Sequence, residues 1–70
     1  MLLYAVARKG KEEVEYYVPK GDLVGWTSDL DACWAWERQS WAEIVKWELA
    51  RQGHYDTFLW VFWRELGSAK

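Results

Sequence analysis

Ser40-Trp41-Ala42-Glu43-Ile44-Val45-Lys46-Trp47-Glu48-Leu49-Ala50-Arg51-Gln52-Gly53 is the segment on which the fold turns. Ser40 followed by Glu43 has the spacing of a capping box, in which hydroxyl and carboxylate each satisfy a backbone N–H at a helix start. Trp41, Ile44, Val45 and Leu49 then fall on one helical face. Glu43 and Trp47 point away from it, and Glu48 flanks it. Arg51 suits the negative end of the helix dipole. Gly53, just past the last turn, is the residue type that closes a helix in a left-handed conformation. The spacing predicts a helix over 40–52 with Trp41 in the core and Trp47 on the outer face.

A helix with one apolar stripe needs a second layer to bury it. Downstream, Thr57-Phe58-Leu59-Trp60-Val61-Phe62-Trp63-Arg64-Glu65-Leu66 is β-branched and aromatic and is bounded by Asp56 and Gly67, the pattern of a strand. Phe58, Trp60 and Phe62 share one face; Leu59, Val61 and Trp63 share the other. A strand apolar on both faces wants cover on both. One helix covers one face, which leaves the other for the loop at 22–31, a second subunit or a partner. Ser68, Ala69 and Lys70 read as a frayed tail behind a single domain of residues 1–67.

Upstream, Leu2 to Lys9 is short and apolar. Glu12 to Val18 alternates, with Glu13, Glu15 and Tyr17 on one side and Val14, Tyr16 and Val18 on the other. Two such runs around Lys9-Gly10-Lys11 predict a β-hairpin, with Gly10 supplying a positive φ. Pro19 lacks an N–H and should end the second strand. Lys20-Gly21-Asp22 continues as a turn. Leu23 to Asp31 carries Gly25 and the turn chemistry of Thr27-Ser28-Asp29, and predicts a loop. Ala32 to Glu37 supports two readings. Its helix formers favour continuation into the helix. The alternation of Ala32, Trp34 and Trp36 favours a strand. A continuous helix would place Glu37 and Arg38 in the stripe between Trp34 and Trp41, so the strand is preferred.

Composition limits what such a chain can do. Its 70 residues make one domain, and 51% hydrophobic with 29% charged residues is globular rather than disordered. A core of this size rarely supplies more than about 3–5 kcal/mol. Cys33 is the only cysteine, so no disulfide forms within the chain. One cysteine and one histidine argue against a metal site, and no cofactor motif is present. The net charge is −2 and the basic residues are scattered, which disfavours a nucleic-acid partner. The run Met1–Ala7 has no basic region before it and ends at Arg8 and Lys9, unlike a signal peptide. No segment approaches the roughly 20 apolar residues of a membrane span. The expectation is a soluble, cytoplasmic protein with no membrane partner.

The candidates for chemistry are few. His54 follows the helix stop and reads as a loop histidine. Nothing near Cys33 in sequence lowers its pKa, so it reads as a buried, inert thiol. Asp29 and Asp31 lack the further oxygen ligands that calcium needs and read as loop hydrogen-bonding groups. No catalytic residue is expected. The seven tryptophans are the stronger signal. A chain this short buries only about 60% of its unfolded surface, so some tryptophans should lie where another molecule covers them. Trp60, with Phe58 and Phe62, reads as core or as the sheet face under the helix. Trp47, on the outer helix face, is the leading partner-binding residue. Trp26, in its loop, reads either as a plug over the second sheet face or as an exposed ligand-contacting side chain. Trp63, on the second strand face, carries the same two readings, and these two are the next partner-binding candidates. Glu12, Glu13 and Glu15 form an acidic edge that either protects a strand or meets a basic partner groove.

The run Tyr16-Tyr17-Val18 … Gly25-Trp26-Thr27-Ser28-Asp29-Leu30 … Ala32 … Trp36 … Ala42-Glu43 resembles a layout found in small phage and prophage proteins: a hairpin, a GWT-x-D loop, an aromatic segment, a helix entered at an A-E pair, and a final strand. The resemblance covers most of the chain. It implies a phage-encoded accessory protein of the anti-CRISPR or host-defence-inhibitor kind, which acts by occluding a bacterial protein such as a defence nuclease or surveillance complex. It transfers no particular residues. The expected fold is α+β, a small antiparallel sheet of three to four strands with one helix packed on one face. The expected function is a non-enzymatic interaction module. The other function classes are a structural homodimer and an aromatic sheet face that stacks single-stranded nucleic acid.

Overall fold

In a computed structural model that describes residues 1–65, Leu2–Lys9 (β1) runs through the centre of a five-stranded antiparallel sheet. Thr57–Trp63 (β5) lies along the whole of one side of β1, from Leu2↔Trp63 to Arg8↔Thr57. The other side is shared. Val14–Lys20 (β2) pairs with its second half, from Ala7↔Tyr16 to Lys9↔Val14. The two-residue Ala35–Trp36 (β4) pairs with its first half at Tyr4 and Ala5. β2 diverges from β1 beyond Tyr16 and carries Leu23–Thr27 (β3) on its far side. The helix Gln39–Arg51 (α1) connects β4 to β5 across one face. The architecture is the expected α+β arrangement of an antiparallel sheet with one helix on one face, with five strands in place of the expected three to four.

The loop expected at 22–31 is a strand over its first half. Gly21, with φ of 63°, and Asp22 alone connect Lys20 to Leu23. A positive φ at the first of two loop residues is the type II′ hairpin, whose twist matches the flanking strands. Pro19 does not end β2; it pairs with Val24 inside the ladder. Tyr17 accepts a hydrogen bond from Trp34 N–H on the side away from β3, and Pro19, two residues on, turns its missing N–H the same way. The ladder to β3 therefore loses nothing. Gly10 also serves differently from the expectation, since its φ is not positive. A Cβ there would collide with the Glu13 carbonyl oxygen, so glycine is needed for closeness rather than for handedness.

Two apolar layers sandwich β1. On one face Ala5, Ala7, Tyr16 and Cys33 form a buried cluster, with Val14, Leu30, Ala35, Trp60 and Phe62 against it. Trp60 packs edge-on to Tyr16 at 5.5 Å between ring centroids. This face lies away from the helix, and the segment after β3 covers it through Leu30 and Cys33. Arg64 ties that cover down, donating from Nη2 to the Leu30 carbonyl at 2.9 Å. On the opposite face α1 buries Val6 beneath Ala42 and Leu49.

The helix departs from its expected register. It begins at Gln39 after Arg38, with no side-chain cap, and Gln39 Nε2 donates to Glu43 Oε2 at 3.0 Å, so the Ser40–Glu43 capping box does not form. The inward stripe is the buried Ala42 and Leu49 with the half-buried Val45, not Trp41 and Ile44. Trp41 is 54% exposed and Ile44 57%, which corrects their assignment to the core. Ala42 is fully buried, and a small side chain there lets the helix sit close on the sheet where an indole would hold it off. The other end matches its reading. Gly53 N–H donates to Ala50 O and His54 N–H to Leu49 O, the two bonds of a Schellman motif, with Gly53 at φ of 102°. Leu66, expected in the last strand, and the expected tail at 68–70 lie outside the described residues.

Candidate protein-interaction surface

Because α1 rests on Ala42, Val45 and Leu49, its outer side carries Trp41, Ile44 and Trp47 at successive i, i+3 positions. Residues so spaced stand next to one another on a helix surface and form a continuous ridge. Trp47 is 70% exposed, and Lys46 Nζ stands 5.8 Å from the centre of its ring. The polar residues around the ridge form only exposed pairs, such as Arg51 with Glu48 at 3.5 Å. Pairs of that kind add little to stability.

Beside the ridge lies a groove. The β2–β3 hairpin projects past the edge of the helix, and Tyr17, Pro19, Leu23 and Val24 face Ile44 and Leu49 across an open space of about 300 Å³. Asp22 and Glu48 stand on its rim. An apolar floor with a few polar groups at the margin is the usual form of a site that accepts an apolar side chain. A second hollow of about 420 Å³ is lined by Arg8, Lys9, Lys11, Glu15 and Asp56. Its charges largely cancel, and Arg8 is already held by Glu15, with Nε to Oε1 at 2.8 Å.

The residues singled out from the sequence do not assemble into one site. Trp47 stands on the helix ridge. Trp63 is also 70% exposed, but it lies at the Leu2 end of the sheet. Glu12 and Glu13 are exposed at the β1–β2 connection, the opposite end of β1. Those ends are separated by seven residues of strand, about 23 Å at the usual rise. Glu15 is half-buried and paired with Arg8. Trp26 is not a loose loop side chain: it lies on β3, half-buried, with Tyr17 at 6.2 Å, His54 at 5.9 Å and the Arg8 guanidinium 4.3 Å from its centroid. The sequence reading missed Trp41, Ile44 and Leu23, all exposed in or beside the groove. The i, i+3, i+7 spacing of Ala42, Val45 and Leu49 is the signal that places Trp41 and Ile44 outward; Leu23 lies on β3 and has no such signal.

The titratable candidates are structural. Asp31 N–H donates to Asp29 Oδ1 and Asp29 N–H to Thr27 Oγ1, both at 3.0 Å, so the two aspartates organise the turn after β3. His54 packs on Trp26, on the helix side of the sheet. Cys33 is buried on the other side, its Sγ donating to Leu30 O at 3.2 Å. Burial pushes the Cys33 thiol above its ordinary pKa, and the nearby Arg64 guanidinium offsets only part of that rise. As pH rises past the ordinary thiol value of about 8.5, the unfolded chain loses this proton while the folded chain keeps it. That part of the stability is present below the unfolded value and is lost as pH climbs towards the folded one. Denaturant titrations at stepped alkaline pH should show the decline, and Cys33→Ala should flatten it above about pH 8.5. An identical slope in both proteins excludes Cys33 as the cause.

Among the described residues no helix is long and apolar enough to cross a membrane. Comparison with family models, with characterised proteins and with solved structures finds no match for this chain.

Proposed function

We propose that this chain is a non-enzymatic interaction module that covers a surface of another protein. The observation that carries the reading is the exposed ridge of Trp41, Ile44 and Trp47 on the outer side of α1, of which Ile44 also lines the groove between α1 and the β2–β3 hairpin. Tryptophan anchors in desolvated pockets dominate many interfaces, and exposed apolar surface of this kind marks interaction sites. Cys33 and His54 lie on opposite faces of the sheet, so these two side chains do not form a nucleophile–base pair. The resemblance to small phage proteins makes the covered protein a bacterial defence nuclease or surveillance complex, met in the host cytoplasm and inhibited by steric masking.

The test is affinity capture from bacterial lysate with the wild-type chain and Trp47→Ala, followed by titration of the captured protein. Trp47 is mostly exposed, so its removal should leave thermal stability nearly unchanged. Loss of a hot-spot indole, about 2 kcal/mol or more, should weaken capture at least about 30-fold. Undiminished capture by Trp47→Ala would move the interface off the helix ridge.

A further inference from the structure

Among the described residues β5 is an edge strand whose outer side is open. The hydrogen bonds exchanged between Met1 and Arg64 at 2.9 Å in each direction make that a hydrogen-bonded pair and fix the alternation along the β1–β5 ladder. Phe62, Trp60 and Phe58 therefore turn their backbone groups towards β1, and Trp63, Val61, Leu59 and Thr57 turn theirs outward. Among the described residues no strand or side chain pairs with those outward groups. Natural proteins protect such edges with lysine, proline, a bulge or extreme shortness. β5 is seven residues long, Thr57-Phe58-Leu59-Trp60-Val61-Phe62-Trp63, and has no charge, no proline and no glycine.

We propose that the outer edge of β5 pairs antiparallel with β5 of a second copy of this chain, about a two-fold axis through Trp60. A two-fold contact is self-complementary, so each residue must suit its own mate. In this register Leu59 opposes the second copy's Val61 and Thr57 opposes its Trp63. Those are the residues with free outward backbone groups, so every new hydrogen-bonded pair uses groups that the monomer leaves open. The next pair out on each side is Asp56 with the second copy's Arg64, opposite charges at both ends of an uncharged core, with Arg64 Nη2 remaining on the Leu30 carbonyl. Side chains keep their faces across such a pair. The exposed Val61 and Trp63 gain neighbours on the helix side, and the two Trp60 rings become neighbours on the other. The helix ridge stays open, so this contact and the partner surface proposed above stand or fall separately.

Amide hydrogen exchange followed by NMR, combined with analytical ultracentrifugation over a concentration series, tests the pairing. The expected result is a concentration-dependent dimer in which the amides of Leu59, Val61 and Trp63 gain protection with concentration, while those of Phe58, Trp60 and Phe62 are protected throughout. Asp56→Arg replaces two attractive end pairs by two like-charge ones and should weaken the dimer about tenfold or more. Asp56 is exposed, so the variant should fold normally. Val61→Pro removes an outward N–H without breaking a bond to β1 and should abolish the dimer. Trp47→Ala should leave it intact. A monomer at every concentration overturns the proposal. So does a dimer whose 59, 61 and 63 amides stay unprotected, or one that Trp47→Ala dissociates.

Discussion

Leu49→Ala should unfold most of the domain at room temperature, whereas Trp41→Ala should leave it folded. Leu49 is 2% exposed and faces β1 across the helix interface. Truncating a buried leucine costs about 2–5 kcal/mol, the lost transfer energy plus the cavity left behind. The whole core of a 70-residue chain supplies only about 3–5 kcal/mol, so the loss is of the same size as the stability itself. Leu49 also contributes the carbonyl that accepts from His54, and the helix stop depends on it staying in place. Trp41 is larger but lies outside the contact. Alanine is the better helix former, which compensates for whatever apolar area the indole covers, and the net change should stay within about 1 kcal/mol. Thermal melts followed by far-UV circular dichroism decide between the two. A destabilised Trp41→Ala with a stable Leu49→Ala would mean that the helix rotates to bury the stripe of Trp41 and Ile44 instead.

That comparison also shows where the sequence was legible and where it was not. The helix, its stop at Gly53 and the three long strands β1, β2 and β5 follow from periodicity and from residues with one dominant structural use. The rotation of the helix did not follow, because side-chain size was read as burial. Alanine at position 42 reads as a helix former with nothing to bury, yet closeness to the sheet is what the interface selects. The β3 strand was hidden for a related reason. Gly21 and Gly25 look like breakers, but the first makes a two-residue reversal and the second is a close approach. A Cβ on Gly25 would lie 2.7 Å from the Val18 carbonyl oxygen, so β2 and β3 can meet there only with glycine. Of the residues expected at the interaction surface, Trp47 kept its outward position because the outer side of the helix is common to both registers. The groove could not be read at all, since it is made by two segments whose proximity depends on β2 leaving β1 at Tyr16.

Trp26→Ala should lower the melting temperature by about 10 °C or more, in contrast to Trp47→Ala. Trp26 joins four parts of the fold. Its own strand is β3; Tyr17 meets it from β2; Arg8 lies over its ring from β1; His54 meets it from the residue just past the helix stop. The guanidinium is fixed in that position by Glu15, so the cation–π contact does not have to order a free side chain. Such a contact is worth about 0.5–2 kcal/mol. Full truncation of a buried tryptophan costs about 3–5 kcal/mol, and the half-buried ring of Trp26 should cost about 2–3 kcal/mol. Trp26→Phe should recover part of the loss, because a phenyl ring retains a face for Arg8 and an edge for Tyr17. The pair of variants separates structure from recognition. If Trp26 is a clamp, Trp26→Ala binds the captured protein normally at temperatures where it is folded, and its defect appears only in the melt. If Trp26→Ala instead melts like the wild type and fails to bind, the ring is a contact residue, and the cluster of Arg8, Tyr17 and His54 around it belongs to the interaction surface rather than to the fold.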